Sequence, residues 1–174
     1  MSPSAPRPTA FLDRDGVLNV DHHYVHRPDQ LIWIDGVPEA IRLLNDAGYQ
    51  VIVVTNQSGV ARGFYDESAI ATLHEHMRDT LAARGARIDA FYYCPHHPEG
   101  KVAAYTMRCD CRKPGTGMLE QAAHDWPIDR ARSFMIGDKD IDVEAATAFG
   151  IRGAKFDAAA DSLPALVRRL LASG

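Results

Sequence analysis

An α/β fold built on a doubly wound parallel sheet is what this sequence predicts, on three observations. Short β-branched or aromatic runs alternate along the chain with stretches of helical periodicity. Several of those runs are almost continuously apolar, as strands covered by helices on both faces must be. Glycines follow the helical stretches where a left-handed cap would end each one. Alternation of this kind implies right-handed crossovers in an open sheet, with ligands at the C-terminal ends of the strands.

The strands are expected at Ala10 to Leu12, Gln50 to Thr55, Ile88 to Tyr93, Ser133 to Ile136 and Gly153 to Phe156. The helices between and after them are expected at Pro38 to Ala47, Asp66 to Arg84, Gly117 to Asp125, Ile141 to Phe149 and Ser162 to Leu171. Pro38 suits a first helical turn, and Gly48, Gly85 and Gly150 stand where C-caps belong. The stretch from Asp157 onward reads as a capping helix without chemistry, and Trp33, Trp126 and the methionines read as packing.

At 174 residues, 46% of them hydrophobic, the chain is long enough for one well-buried core and too short for two ordinary domains. One domain over residues 10–174 is expected, preceded by a Pro- and Ser-rich segment, residues 1–9, that has little to bury and should stay loose. A net charge of -4 offers no long-range attraction to nucleic acid or anionic lipid. No apolar run approaches the roughly 18 residues that span a bilayer. A cytoplasmic protein, a monomer with no nucleic-acid or membrane partner, is the expectation.

Polar residues should collect just after the strands, and they do. The first strand runs into Phe11-Leu12-Asp13-Arg14-Asp15-Gly16, the second into Thr55-Asn56-Gln57-Ser58-Gly59, the fourth into Gly137-Asp138-Lys139-Asp140-Ile141-Asp142. Arg112-Lys113-Pro114 precedes the third main helix. Singly, each cluster is an ordinary turn or a solvated pair. Jointly, one strand edge carrying a carboxylate pair, a hydroxyl, a lysine and a second carboxylate points to phosphoryl transfer.

The chemistry follows from charge. Of the pair Asp13 and Asp15, one carboxylate would attack phosphorus while its neighbour manages protons. Magnesium held by Asp13 and Asp138 would remove carboxylate–phosphate repulsion. Lys113 would add a fixed positive charge, with Thr55 and nearby backbone N–H groups donating to the equatorial oxygens. Arg112 could grip substrate through its planar fork.

A second constellation lies in the loop after the third strand, Cys94-Pro95-His96-His97-Pro98 followed by Cys109-Asp110-Cys111. These are the chain's three cysteines, and two nearby ligands at each end of a long loop match a closed tetrahedral zinc site. Three thiolates and one imidazole leave no open position, so the zinc would be structural and would fix Arg112 and Lys113 just beyond it. On chemistry alone, His96 and His97 compete for the fourth place.

Asp13, Asp15, Thr55, Lys113 and Asp138 stand in the order of the four motifs of the haloacid dehalogenase (HAD) superfamily, which the chain resembles over nearly its whole length. The resemblance implies a Rossmann-like core, with Asp13 as the nucleophile that becomes an aspartyl-phosphate and Asp15 as the general acid/base. It implies magnesium on Asp13, the backbone carbonyl of Asp15, and Asp138, with Asp142 in an outer position. Related sugar phosphatases carry a Cys-Pro-His-His-Pro segment whose first histidine is the ligand, which favours His96 beside Cys94, Cys109 and Cys111.

Further stretches narrow the branch: Asn19-Val20-Asp21-His22-His23-Tyr24-Val25-His26 and Val54 to Gly63, together with the cysteine loop and Gly137-Asp138-Lys139. They are similar to phosphatases that remove the 7-phosphate of a glycero-manno-heptose 1,7-bisphosphate. Substrate contacts implied by that branch fall on Asp21, His22, Tyr24, Thr55, Asn56, Gln57, Ser58, Arg112, Lys113 and Lys139. His23 departs from the glycine expected at its position. Histidinol-phosphate phosphatases share the Asp pair, Thr-Asn-Gln and the zinc cysteines, but the longer Glu99 to Arg108 segment argues against them. A non-enzymatic phospho-receiver would keep its acidic pair on an earlier strand than the phosphorylated aspartate, unlike this chain. The inserts between Gly16 and Pro38 and between Ser58 and Asp66 leave no room for a large cap domain, so a small phosphorylated sugar in an open cleft is expected.

Overall fold

The computed structural model describes residues 3–174. Five parallel strands, β1 (Thr9–Leu12), β2 (Gln50–Asn56), β3 (Ala90–Cys94), β4 (Phe134–Gly137) and β5 (Arg152–Lys155), form one sheet in the order β3-β2-β1-β4-β5. Helices α1 (Val37–Asp46), α2 (Glu67–Ala82), α3 (Gly117–Asp125), α4 (Asp140–Phe149) and α5 (Leu163–Ala172) alternate with them. A receiver of the flavodoxin type runs 2-1-3-4-5. The observed order is different, and it sets the reversal of winding beside β1, where a doubly wound sheet binds its ligand.

Period-two alternation divides the core between the two faces of the sheet. Ala10, Leu12, Val51, Val53, Phe134 and Ile136 face α1, α2 and α5, whereas Phe11, Ile52, Val54 and Met135 face α3 and α4. All ten side chains are essentially removed from water, and this rigid double layer holds the strand ends. Asp66 caps α2 by accepting from the Ala69 N–H at 3.0 Å, and Ser162 caps α5 by accepting from the Ala165 N–H at 3.3 Å.

Element ends differ from the sequence pattern for local reasons. β1 begins at Thr9, because the Arg7 N–H donates to the Pro127 carbonyl and the Arg7 carbonyl accepts from Asp129, each at 2.9 Å. The opening segment is therefore tied down from Arg7 instead of loose through residue 9; residues 1–2 lie outside the described residues. β3 starts at Ala90 instead of Ile88, since an Asp89 carboxylate oxygen takes the Val51 N–H at 2.8 Å in place of a ladder carbonyl. β5 is a half-exposed edge, not a strand covered on both faces.

Candidate active site and metal centre

β1 stops, and the Asp13 N–H still donates to the Ile136 carbonyl of β4 at 3.0 Å. The Arg14 carbonyl then gathers the N–H groups of Val17, Leu18 and Asn19, closing a tight turn. Gly16 sits in that turn at φ +88°, and a Cβ there would run into the Asp138 carboxylate. Glycine is required on both counts.

Lys113 is buried at the centre of the site. Its Nζ lies 3.0 Å from Asp13 Oδ1 and donates to Asp142 Oδ1 at 2.6 Å and to the Val54 carbonyl at 3.0 Å. Asp13, Asp138 and Asp142 each offer an oxygen, all within 4.8 Å of one another. One ammonium thus pairs with two of three clustered carboxylates. Burial pushes Asp13 up to about 8; Lys113 pulls it back, while Asp142, Asp15 and Asp138 push the same way as burial. Burial pulls Lys113 down, but the two adjoining carboxylates outweigh it and hold the ammonium above its usual value. Asp138 is raised, chiefly by burial, and its Oδ1 is buried with no hydrogen-bond partner. An orphaned oxygen and surplus negative charge in a glycine cradle fit a small hard dication. Asp142 supports the site from behind: its Oδ2 accepts from the Lys139 N–H at 3.1 Å.

Asp15 lies beside this cluster, opening onto a small cleft of about 180 Å³ shared with Asp21, His23, Tyr24, Asn56, Gln57, Ser58, Tyr65 and Lys139. Thr55 is buried at the end of β2, its Oγ1 accepting from Gln57 Nε2 at 2.8 Å. The Gln57 amide is occupied by protein: Nε2 also donates to Asp15 Oδ2 at 3.1 Å, and Oε1 accepts from the Tyr65 hydroxyl at 2.6 Å. Asn56 is likewise turned onto the backbone of Lys113. Both residues expected to touch substrate serve here as braces in the cleft wall.

In the first loop the structure brings Asp21 and Tyr24 to the cleft but not the His22 ring, whose Nε2 meets the Gln30 carbonyl at 2.7 Å. His23 lines the cleft in its place, at φ +68°, followed by Tyr24 at φ +54°. A left-handed backbone at residue 23 explains why the resemblance expects glycine there. Arg112 lies apart from the carboxylates, lining an adjoining hollow of about 320 Å³ with His97, Arg108 and Lys113, and its Nη1 is buried without a partner.

The cysteine loop closes on itself. Cys94, His96, Cys109 and Cys111 bring their ligand atoms within 4.8 Å of one another, with His96 Nδ1 3.2 Å from the Cys111 Sγ. His97 is directed elsewhere, its Nδ1 accepting from the Glu99 N–H at 3.0 Å. The choice left open by spacing falls to His96. The hydrogen bond from Cys111 to Cys94, and then burial, hold the Cys111 thiol well above its usual range. A thiol set so crowded could hold a thiophilic cation.

Sequence reasoning missed Arg14, Asn19, His74 and Tyr65. Arg14 alone carried a signal, being a cation directly after a buried strand and between two aspartates.

Comparison with known proteins matches this geometry. A D-glycero-beta-D-manno-heptose-1,7-bisphosphate 7-phosphatase from Rhodopseudomonas palustris is 54% identical over 158 residues, 90% of this chain and 88% of that one. The chain belongs to that phosphatase family. The 7-phosphatase of Escherichia coli K12 is 51% identical over 144 residues, 83% of this chain and 75% of its own. A HAD-hydrolase-like family model matches residues 110–155, the stretch carrying Lys113, Asp138 and Asp142. Among solved structures, D,D-heptose 1,7-bisphosphate phosphatase from B. bronchiseptica, complexed with magnesium and phosphate, superposes with a TM-score of 0.80 at 31% identity, covering 96% of this chain and 99% of that one. The chain is therefore a phosphoric monoester hydrolase of the HAD fold.

Proposed function

We propose that this enzyme removes the 7-phosphate of D-glycero-β-D-manno-heptose 1,7-bisphosphate through an aspartyl-phosphate on Asp13, leaving the 1-phosphate for nucleotide-activated heptose synthesis. The observation that carries the reading is Lys113 buried between Asp13 and Asp142, with Asp138 Oδ1 unpartnered beside them. The relatives' names support the substrate and the anomer.

Asp13 Oδ1 is tied to Lys113 and to the Arg14 N–H, which leaves its other oxygen for attack. That oxygen bonds to phosphorus while the P–O bond to the sugar breaks, its electron pair staying on the sugar oxygen. Asp15 gives that oxygen a proton. Water then attacks phosphorus and returns a proton to Asp15 as the bond to Asp13 breaks and phosphate leaves. Asp13, Asp138 and the Asp15 carbonyl would hold magnesium, which would supply charge neutralisation between phosphate and carboxylate. Lys113 and Thr55 stabilise the transferring group, and Lys139, Asp21, Tyr24 and Ser58 orient substrate in the cleft. Arg112, offset from the carboxylates, grips the far end of an extended bisphosphate.

Cys94, His96, Cys109 and Cys111 would hold zinc in a structural role, a reading supported by the crowding of three thiols and one imidazole. We further propose a cytoplasmic monomer, since one chain supplies every group used above. No helix among the described residues is long and apolar enough to cross a membrane.

The test is magnesium-dependent phosphate release from the two heptose bisphosphate anomers and from histidinol phosphate, with phosphorus NMR identifying the remaining ester. Preference for the β-bisphosphate with loss at C7 is expected. Preference for histidinol phosphate overturns the assignment.

A further inference from the structure

We propose that Arg14 is a positioning residue for Asp15: its buried guanidinium, braced by His74 and the Val25 carbonyl, sets the plane and direction of the carboxyl that exchanges protons with the leaving group and with water. This rests on the reading of Asp15 given above, and it adds a residue to the proton-transfer step.

Arg14 is completely removed from water. Its Nε donates to Asp15 Oδ1 at 3.3 Å, and Nη2 donates to Oδ1 at 3.0 Å and to Oδ2 at 3.3 Å. Nη2 also donates to the Val25 carbonyl at 2.6 Å, and Nη1 to His74 Nε2 at 3.2 Å. Arginine only donates, so His74 Nε2 carries no proton and the ring is the Nδ1–H tautomer. The His74 ring stacks on Phe91 with centroids 4.4 Å apart and cannot swing away from the guanidinium.

The fork approaches Asp15 from inside the protein. Asn19 Nδ2 adds a donor to Oδ1 at 3.0 Å, and Gln57 adds one to Oδ2. The Asp15 side chain keeps about a fifth of its surface exposed, toward the cleft. Both carboxylate oxygens are thus held by protein donors, and the exposed fifth of the side chain is the part that a substrate oxygen can approach. Burying a guanidinium is costly, and a buried ion pair often adds little stability over an apolar replacement. Orientation is a better account of this one, because general acid catalysis depends on a carboxyl aimed within hydrogen-bond reach.

The alternative is that Arg14 only anchors the loop at Val25. Leaving-group chemistry separates the two. A sugar phosphate expels an alkoxide that needs the Asp15 proton, whereas p-nitrophenyl phosphate expels a stabilised phenolate that does not. In Arg14→Lys, kcat/KM for heptose bisphosphate should fall about thirtyfold while kcat/KM for p-nitrophenyl phosphate changes less than about threefold, a pattern set by the usual size of general acid catalysis. His74→Leu lies on α2, far along the chain, and should show the same selective loss at smaller size, with His74→Gln restoring activity by keeping an acceptor. Should Arg14→Lys fail to fold, the His74 pair decides alone. Equal losses on both esters, or no loss on either, overturn the proposal while leaving the phosphatase reading intact. Wild-type protein that releases phosphate from neither ester overturns both.

Discussion

Asn56 holds Lys113 by both ends of one amide: Nδ2 donates to the Lys113 carbonyl at 3.2 Å, and Oδ1 accepts from the Lys113 N–H at 3.0 Å. The end of β2 thereby fixes the backbone from which the buried ammonium reaches Asp13. Asn56→Ala leaves two polar backbone groups short of partners and lets Lys113 drift, at a cost of about 1–3 kcal/mol. Steady-state kinetics should show kcat reduced roughly tenfold or more, since about 1.4 kcal/mol corresponds to a factor of ten.

Replacing Lys113 itself by methionine keeps the stem and removes the charge. Asp13 and Asp142 then face each other without the cation between them. Turnover should fall by about a hundredfold or more, the scale on which a preorganised charge or donor acts at a developing anion. Rapid-quench measurement should place the loss in transfer to Asp13.

His74 supplies a pH signature of the fold. Burial, then the Arg14 and Arg78 cations, pull its pKa from 6.5 down to about 3. The folded protein resists protonating this ring, so its contribution to stability is full above 6.5 and declines as pH falls from 6.5 toward 3. Thermal unfolding at pH 7.5 and pH 5 should show wild type losing more stability than His74→Gln over that interval. Parallel losses would place the acid sensitivity elsewhere.

Cys109→Ser should abolish the zinc binding proposed for the cysteine loop. Its effect on catalysis is indirect, through Arg112 and Lys113 just beyond Cys111, and activity should fall by about tenfold or more. Elemental analysis of the purified variant checks the first part and kinetics the second. Undiminished zinc content would remove the assignment of this site.

His23→Gly should relieve a left-handed backbone at φ +68°. The conformational relief of about 1–2 kcal/mol is partly offset by glycine's greater freedom when unfolded. Denaturant titration should show a net gain of roughly 0.5–1 kcal/mol. Removing the ring from the cleft should also change the ratio of activities toward the two heptose anomers.

Asp13, Lys113 and Asp138 were legible in the sequence because each charged group follows, or packs under, the end of an apolar strand, and strand ends in this architecture meet at one place. The cysteine set was legible because ligand chemistry restricts spacing. The His96 and His97 choice was not, since it depends on which way adjacent rings point. The same applies to His22 and His23, whose orientation turns on a positive φ that no side-chain pattern announces. Arg14 with His74, and Gln57 with Tyr65, became visible only when packing joined residues whose separation carries no periodic signal. The start of β3 was hidden because an Asp89 side chain imitates the backbone.

Covalent capture of phosphate by Asp13 is the claim on which the rest depends, and a crystal grown with magnesium and beryllium fluoride tests it most directly. The account predicts a tetrahedral fluoride adduct continuous with an Asp13 carboxylate oxygen, beside Lys113 Nζ and a cation on Asp138. Density bonded to Asp15 instead, or an anion standing clear of Asp13 with only water between them, would contradict it.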